Sequence, residues 1–202
     1  MLDKMILAQV KPTLQAVAKR LLSWGITPNQ VTVTGFLLGM LALPALAFEY
    51  YSFSIILIML NRLADGLDGV MARSSKPSDR GAFLDIVLDF LFYSAIPLGF
   101  ALADPAQNAL AAAVLIYAFI GTGCSFLAFA IIAAKRGLNS THYPEKGFYY
   151  LGGLTEATET IAVFILMCLF PAYFAVFAYG FAALCFLTTA LRIKAGWEVF
   201  DS

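Results

Sequence analysis

Charged side chains are scarce in this chain. They make up 13% of its 202 residues, whereas ordinary soluble domains contain about 25%. Hydrophobic residues account for 61%. So little charge excludes a typical soluble domain, and the composition predicts a membrane protein that crosses the bilayer several times. We expect residues 1–202 to form a single membrane domain.

Cysteine and net charge are low as well. The three cysteines, Cys124, Cys168 and Cys185, lie in apolar stretches, and their spacing suits neither a disulfide framework nor a zinc site. The formal net charge is zero, so bulk charge gives no reason to expect a nucleic-acid partner. Function must therefore be inferred from where the few charged residues lie.

Residues 1–23 show a helical pattern. Apolar residues recur at steps of three and four from Leu2 to Leu22, and basic residues such as Lys19 and Arg20 occupy other positions. This pattern predicts an amphipathic helix that lies in the membrane interface. The alternative is a helix packed on a soluble domain, but the composition leaves no room for such a domain.

Six apolar stretches follow, each near the ~20 residues that a bilayer requires. Their approximate bounds are 31–48, 53–72, 82–103, 107–134, 154–170 and 172–192. Thr27-Pro28-Asn29 precedes the first stretch and is typical of a helix start, with a polar cap candidate and an early proline. The expected fold is an all-α integral membrane protein. Six transmembrane helices at about 31–192 follow the N-terminal amphipathic helix.

The basic residues indicate the orientation. They cluster before the first span, after the second, after the fourth and after the sixth, whereas the turns near Glu49, Asp104 and Pro171 contain none. Lysine and arginine favour the cytosolic side of a membrane protein. We therefore expect both termini, and the end of the second span, to lie at the cytosolic face.

Four aspartates stand inside this apolar sequence. Asp65 and Asp68 are three residues apart near the end of the second span, and Asp85 and Asp89 are four apart near the start of the third. Each spacing places both carboxylates on one helix face. A carboxylate in a bilayer segment is costly unless it is paired, solvated or bound to a cation. The four groups therefore predict a site for something strongly positive.

The donor atoms at this site suggest which cations it would take. Carboxylate oxygens favour Mg²⁺, Mn²⁺ or Ca²⁺ over zinc. Four acids are enough for two ions a few Å apart, an arrangement suited to displacement at phosphorus. Helix capping could explain one aspartate at a helix end, but not Asp65 and Asp89 inside apolar runs. A reaction site and an ion path both remain open.

Small residues and one arginine flank the aspartates. Gly69, Ala72 and Gly81 would leave a groove in which a ligand can approach the backbone closely. Arg73 can bind phosphate oxygens through its guanidinium fork. In the first span, a G-x3-G step at 35–39 could let two helices approach closely.

The pattern as a whole resembles the signature of the CDP-alcohol phosphotransferases, integral-membrane enzymes that make phospholipid headgroups. The eight matching positions are Asp65, Asp68, Gly69, Ala72, Arg73, Gly81, Asp85 and Asp89. The spacer between Arg73 and Gly81 is one residue shorter than is usual in the family. Residues 150–160 (YLGGLTEATET) look like those of bacterial inner-membrane members. The resemblance covers nearly the whole chain.

The resemblance implies a reaction and a site. A CDP-linked donor, usually CDP-diacylglycerol, would give its phosphatidyl group to an alcohol, with CMP as the leaving group. Two Mg²⁺ or Mn²⁺ ions would be held by Asp65, Asp68, Asp85 and Asp89, and Asp89 would also act as the general base on the acceptor hydroxyl. The CDP site would be lined by Asp65, Asp68, Gly69, Ala72, Arg73, Gly81, Asn29 and Asn61. The resemblance also implies that the protein forms a homodimer and that it lies in a bacterial inner membrane, in contact with membrane lipids.

Five further residues are candidates for the acceptor site: Glu156, Glu159, Lys135, Arg136 and Arg192. The two glutamates could read hydroxyls or an amine, and the alternative is that they cap a helix N-terminus. The basic residues could bind a phosphate on the acceptor, and the alternative is positive-inside anchoring.

Two other functions remain open at this point. A divalent-cation transporter could use the same acids as a permeation site, but it would spread them through the depth of the membrane. An inactive relative that only binds CDP-lipids would keep the site without turnover.

Overall fold

The computed structural model describes residues 2–75, 77–138 and 155–201, and within residues 2–11 it describes the backbone alone. Every regular element in these ranges is a helix. They are α1 (Leu2–Ser23), α2 (Pro28–Met40), α3 (Ala42–Ala47), α4 (Tyr51–Ser74), α5 (Asp79–Ala103), α6 (Pro105–Lys135), α7 (Ala157–Leu169), a 3₁₀ turn (Pro171–Tyr173) and α8 (Phe174–Phe200). The predicted all-α class is confirmed.

Four of the described segments are long and apolar enough to cross a membrane. They are Pro28–Ala47, Asp79–Ala103, Pro105–Lys135 and Pro171–Phe200. Helix α4 carries four charged side chains in its 24 residues, and α7 has only 13 residues. All six expected spans correspond to described helices, but crossing by α4 and α7, and so the count of six, stays a prediction.

The first span is two helices, because a proline interrupts it. Thr27 caps α2, with its hydroxyl accepting from the Gln30 amide while the Gln30 side chain accepts from the Thr27 amide. This confirms the helix start expected there. Pro44 has no N–H to donate to the carbonyl four residues earlier, and α2 ends at that residue, Met40.

The G-x3-G step joins α2 to α4 within one chain. A Cβ on Gly35 would overlap the side chain of Ala64, and a Cβ on Gly39 would lie 2.9 Å from the Asn61 Cβ. The buried Asn61 side chain donates to the Gly35 carbonyl at 3.1 Å. The missing side chains thus let α4 lie close enough to α2 for a hydrogen bond between the helices.

The helices meet in an aromatic core. Phe92, Phe100, Phe164 and Phe174 are fully buried. The ring of Phe100 stacks on Phe174 at 4.5 Å and on Tyr51 at 5.7 Å between centroids. These contacts tie the first turn of α4 and the last turn of α5 to the first turn of α8.

Helix α1 packs on α4. Its Ala18 is buried with Val70 and Met71, in the half of α4 that also carries Asp65 and Asp68. The side chains of Lys19 and Arg20 are exposed. The helix and its C-terminal end at Ser23 are as expected, and its placement in a membrane interface stays a prediction.

Candidate functional site

The two aspartate pairs converge because α4 and α5 run in opposite directions and both pack against α2 and α3. One carboxylate oxygen from each of Asp65, Asp68 and Asp85 lies within 4.8 Å of the others. A set of three oxygen ligands at this separation could hold a divalent cation. The structure therefore brings together three of the four aspartates as potential ligands to one ion.

Burial at Asp68 fits a bound cation. The residue is 5% exposed, and its Oδ2 atom is buried with no hydrogen-bond partner among the described residues. Such an atom is costly unless something positive meets it. A cavity of about 10 Å³ lies beside it, lined in part by Asp65, Asp85 and Asp89. That volume is about the size that a single water needs, so the space and the donor set both suit a small ion.

The fourth aspartate has a different partner. The Oδ1 atom of Asp89 accepts from Nη2 of Arg62 at 2.6 Å. Nη1 of the same guanidinium lies 3.5 Å from Oδ2 of Asp65 and donates to the Tyr93 hydroxyl at 3.0 Å. A largely buried arginine, with its side chain 12% exposed, thus lies on one side of the acidic group.

A second, larger cavity opens next to the aspartates. Its volume is about 710 Å³, within the ordinary range for sites that bind small molecules. Its lining includes residues predicted for the nucleotide: Asn29, Asp68, Gly69, Ala72, Arg73 and Gly81. Asp85 and Asp89 also line this cavity, so the acidic group borders it directly.

Two glycines of the cavity lining, Gly69 and Gly81, lie close to polar side chains. A Cβ on Gly81 would lie 2.9 Å from Oδ1 of Asn29, and a Cβ on Gly69 would lie 3.4 Å from the Arg73 guanidinium. Any larger side chain would push against polar groups that face the cavity. Ser78 caps α5 by accepting from the Gly81 amide at 3.1 Å, which fixes the start of this helix.

Two of the acceptor candidates, Glu156 and Arg192, also line the cavity. Arg192 is 8% exposed, its Nη1 donates to the Thr122 carbonyl at 2.9 Å, and its guanidinium lies over the Phe126 ring. Thr122 and Phe126 line the same cavity. An arginine held this way presents a fixed positive charge to a bound molecule.

The remaining acceptor candidates lie outside the cavity lining. Glu159 accepts a hydrogen bond from the Glu156 amide at 3.2 Å, which is a capping contact at the start of α7. Nη2 of Arg136 donates to the Phe200 carbonyl at the end of α8, and Lys135 is exposed in the last turn of α6. These positions favour the capping and anchoring alternatives for the three residues, and the capping box at the start of α7 makes Glu156 a capping residue as well.

Two of the predicted nucleotide residues lie deeper than expected. Asp65 and Asn61 line the small cavity and are absent from the lining of the larger one. Asn61 accepts from Nε and Nη2 of Arg62. Asn61 therefore lies outside the lining of the larger cavity and holds the side chain of Arg62.

Arg62 lies one helical turn before Asp65, where the sequence predicts a residue that supports the metal site or the nucleotide. Its contact with Asp89 on the other helix and any role for Tyr93 were not anticipated. Helical spacing could have indicated Tyr93, because it lies four residues after Asp89. Thr32 was also missed. It lines both cavities from α2.

Comparison with known sequences gives a consistent picture. The sequence model of the CDP-alcohol phosphatidyltransferase family matches residues 25–192. The chain is 54% identical to inner membrane protein YnjF of Escherichia coli K12, over 202 residues that cover 100% of this chain and 98% of that protein. It is also 41% identical to archaetidylinositol phosphate synthase of Pyrococcus horikoshii, over 50% of this chain and 54% of the relative.

Solved structures share the fold. Phosphatidylinositol phosphate synthase (PgsA1) of Mycobacterium tuberculosis with CDP-DAG bound aligns with a TM-score of 0.68 and 20% identity, over 91% of this chain and 93% of that one. The same enzyme in complex with manganese and citrate aligns with a TM-score of 0.73 and 20% identity, over 91% and 88% of the two chains.

Proposed function

The chain belongs to the CDP-alcohol phosphatidyltransferase family, and from that premise we propose that it transfers a phosphatidyl group from CDP-diacylglycerol to a polar alcohol, releasing CMP. The observation that carries the proposal is the border between the three-aspartate group and the 710 Å³ cavity, where Asp68 and Asp85 line the cavity wall. A diphosphate lying at that border would meet both the acids and Arg73.

The donor would occupy the end of the cavity between α2, α4 and α5. The cavity wall has few side-chain atoms here, because it is formed in part by Gly69, Ala72 and Gly81, with Asn29 beside them. A nucleotide could therefore approach the backbone closely. Arg73 would bind phosphate oxygens through its fork. PgsA1, which shares this fold, was crystallised with CDP-DAG, and this supports the choice of donor.

Asp65, Asp68 and Asp85 would hold a divalent cation such as Mg²⁺ or Mn²⁺. Their oxygens are the hard donors that these ions prefer, and PgsA1 has also been crystallised with manganese. When bound there, the ion would neutralise the diphosphate and stabilise the negative charge that develops on departing CMP.

Asp89 would take the proton from the acceptor hydroxyl. Its Oδ1 is held by Arg62, and the side chain also lines the large cavity, so its second oxygen is available to a hydroxyl arriving from that side. A carboxylate fixed at hydrogen-bond distance from an alcohol is suited to general-base catalysis.

The acceptor would lie beside Glu156 and Arg192, which line the same cavity. The fixed guanidinium of Arg192 suits an acceptor that carries an anionic group, and Glu156 could accept a hydrogen bond from a hydroxyl or an amine. The 41% identical relative from Pyrococcus horikoshii is an archaetidylinositol phosphate synthase, whose name is consistent with such an acceptor.

The placement of the enzyme follows the sequence-based expectations. The relative named as an inner membrane protein supports a bacterial inner membrane, and the distribution of basic residues puts the acids and both termini on the cytosolic side. CDP is a cytosolic nucleotide, while the lipid tails would stay in the bilayer. We also propose that residues 1–202 form a single domain and that the enzyme is a homodimer.

The test is CMP release from purified protein in vesicles that contain CDP-diacylglycerol and one candidate alcohol at a time. Glycerol 3-phosphate, inositol phosphate, serine and a second lipid form the panel. Asp89→Asn should reduce CMP release by about 10²- to 10⁴-fold, the usual contribution of a general base, and leave CDP binding nearly unchanged. Full activity of Asp89→Asn would remove the base assignment.

The two alternative functions give different results in the same vesicles. A transporter would move Mn²⁺ across the membrane without any CDP ligand. An inactive lipid-binding relative would bind CDP by calorimetry and release no CMP with any alcohol of the panel.

A further inference from the structure

Glu156 and Arg192 place one negative and one positive side chain on the wall of the 710 Å³ cavity. The other charged side chains of this lining belong to the residues proposed above for the metal, the donor phosphates and proton transfer. The described part of the acceptor region therefore presents two opposite charges. A wall of this kind suits a molecule that carries both signs of charge itself.

The start of α7 is tied to α8 one helical turn before Arg192. The Oγ1 atom of Thr155 donates to Oγ1 of Thr188 at 3.2 Å. Thr188 precedes Arg192 by four residues and so lies on the same face of α8. Glu156 follows Thr155 directly and is the N-cap residue of α7. The fold thus places the carboxylate and the guanidinium on two bonded helices that border one cavity.

Both side chains are fixed by contacts that are compatible with ligand binding. The bond from Arg192 to the Thr122 carbonyl involves one of the five N–H groups of the guanidinium, and the guanidinium fork matches a carboxylate or a phosphate. Glu156 takes part in the capping box of α7. A carboxylate has two oxygens with about four acceptor positions, so it can cap a helix and also accept from a ligand.

The cavity wall favours an ammonium group over a neutral hydroxyl as the partner of Glu156. A hydrogen bond between an ammonium and a carboxylate is charge-assisted and roughly twice as strong as one between neutral groups. Three aromatic side chains, Phe90, Tyr93 and Phe119, line the same cavity. The face of an aromatic ring attracts a cation that lies within about 6 Å of its centroid, whereas a hydroxyl gains no such attraction.

We propose that Glu156 and Arg192 select a zwitterionic acceptor, a small alcohol that carries an ammonium group for Glu156 and a carboxylate or phosphate for Arg192. The inference rests on the proposed function and narrows its acceptor from any polar alcohol to this class. The acceptor oxygen forms a bond to the phosphorus that carries diacylglycerol, the bond from that phosphorus to CMP breaks, and the hydroxyl proton goes to Asp89. Glu156 is then a specificity-determining residue.

Two matched pairs of acceptors test the ammonium group alone. Serine and glycerate share a hydroxyl and a carboxylate, and glycerate has a second hydroxyl where serine has the ammonium. Serinol phosphate and glycerol 3-phosphate differ in the same way and carry a phosphate. CMP release from vesicles with CDP-diacylglycerol gives kcat/KM for each. The amine should be preferred by about 10- to 100-fold, the usual effect of a hydrogen bond to a charged group. A preference confined to one pair identifies the anion.

Substitution of Glu156 should remove the preference. In Glu156→Gln the ratio of amine to hydroxyl acceptor should fall to near one, and Glu156→Asp, which keeps the charge and a good N-cap, should retain a preference. Glu159→Gln is the matched control, because Glu159 is the other half of the capping box and lies outside the cavity linings. Glutamine preserves the box, so the ratio should stay unchanged. A weakened cap would lower both members of a pair alike.

The anionic group is tested with ethanolamine, which has the hydroxyl and the ammonium of serine and no carboxylate. Ethanolamine should give a kcat/KM at least about tenfold below that of serine. The difference should disappear in Arg192→Gln. Equal use of serine and ethanolamine by the unaltered protein would overturn the role of Arg192 in this selection.

Failure of the inference can be told apart from failure of the proposed function. Equal use of both members of each pair, with CMP released, would overturn the inference and leave the transferase proposal standing. An unchanged ratio in folded Glu156→Gln would overturn it as well. Acceptor binding, measured by saturation-transfer NMR with CMP present, needs no turnover. Stronger binding of the amines without CMP release would support the inference and count against the transferase, and equal binding without release would overturn both.

Discussion

The two ends of the α4–α5 pair are built on opposite principles. At one end the ring of Phe100 stacks on the rings of Tyr51 and Phe174. At the other end, Asp68 has a buried oxygen with no hydrogen-bond partner among the described residues, and Asp89 forms an ion pair with the largely buried Arg62. Both ends belong to the same two helices.

The difference distinguishes the residues that stabilise the helix bundle from the residues that serve its function. Stacked rings fill space and stabilise the bundle through contact alone. Gathered carboxylates repel one another and raise the free energy of the folded protein until a cation meets them. A chain keeps such an arrangement where it serves a function, so the acidic end is the place to look for chemistry and the aromatic end the place to look for stability.

The largest effect should come from removing a ligand at the acidic end. Asp68→Asn takes one negative charge from the three-aspartate group and should reduce CMP release by about 10²- to 10³-fold, since a group that acts on the transition state is lost. Mn²⁺ binding should weaken in parallel, while the thermal unfolding temperature stays the same or rises, because a buried charge has gone. CMP release and a melting curve are measured on the same preparation.

Asp79→Asn is the control for that change. Asp79 is an exposed acid in the first turn of α5 and lies outside both cavity linings. Its variant should keep its CMP release and Mn²⁺ binding. Equal losses in the two variants would mean that general acidity matters at this end and the three-aspartate geometry does not.

A smaller effect, of the opposite kind, should follow from Phe100→Ala at the aromatic end. Lipid is as apolar as the core, so only the cavity part of the usual cost applies, and we expect a loss of about 2–3 kcal/mol in the free energy of unfolding. Turnover per folded molecule should change little. Unfolding in mixed micelles and CMP release are the two measurements, with Phe48→Ala (73% exposed) as the control that should unfold normally.

The smallest effect should follow from Gly39→Ala, a change in helix packing that is expected to reach the acidic site. Gly39→Ala places a Cβ 2.8 Å from Nδ2 of Asn61, and Asn61 in turn holds Arg62. We expect a loss of about 1–2 kcal/mol in stability from overpacking and a loss of about tenfold in CMP release, since the displacement reaches the acids. An unchanged enzyme would show that α4 can shift without disturbing the site.

Gly180→Ala is the matched control for this substitution. Gly180 lies in α8 with nothing within 4 Å of its Cβ position. Alanine there should stabilise the helix by up to about 1 kcal/mol, the usual difference in helix propensity, and should leave CMP release as it was.

Much of the fold was predictable because each element depends on local sequence. Apolar length gives a helix, and Thr27 with Pro28 gives the start of α2, whose capping contacts the structure shows. The aspartate pairs were also predictable in part, because spacings of three and four put side chains on one face. These spacings predict which residues share a helix face.

The rest depends on which helices are neighbours, and local patterns do not contain that information. The bond from Asn61 to Gly35 spans 26 residues, and the contact between Arg62 and Asp89 spans 27. Glu159 and Arg136 were plausible acceptor residues by type, but packing directs them to helix ends. The extension of α8 to Phe200, beyond the expected end at 192, also went unnoticed, because charged residues there looked like the end of a span.

The way the acids are held has a consequence for how the family's sequences can change. Asp65 and Asp68 are placed by the packing of α4 on α2, and Asp85 and Asp89 by α5 from its cap at Ser78 onward. The segment between Ser74 and Asp79 connects the two helices, and its last residues also line the larger cavity at Pro77 and cap α5 at Ser78. A spacer one residue shorter than is usual in the family therefore changes the length of this connection, while each aspartate pair stays on the helix that positions it.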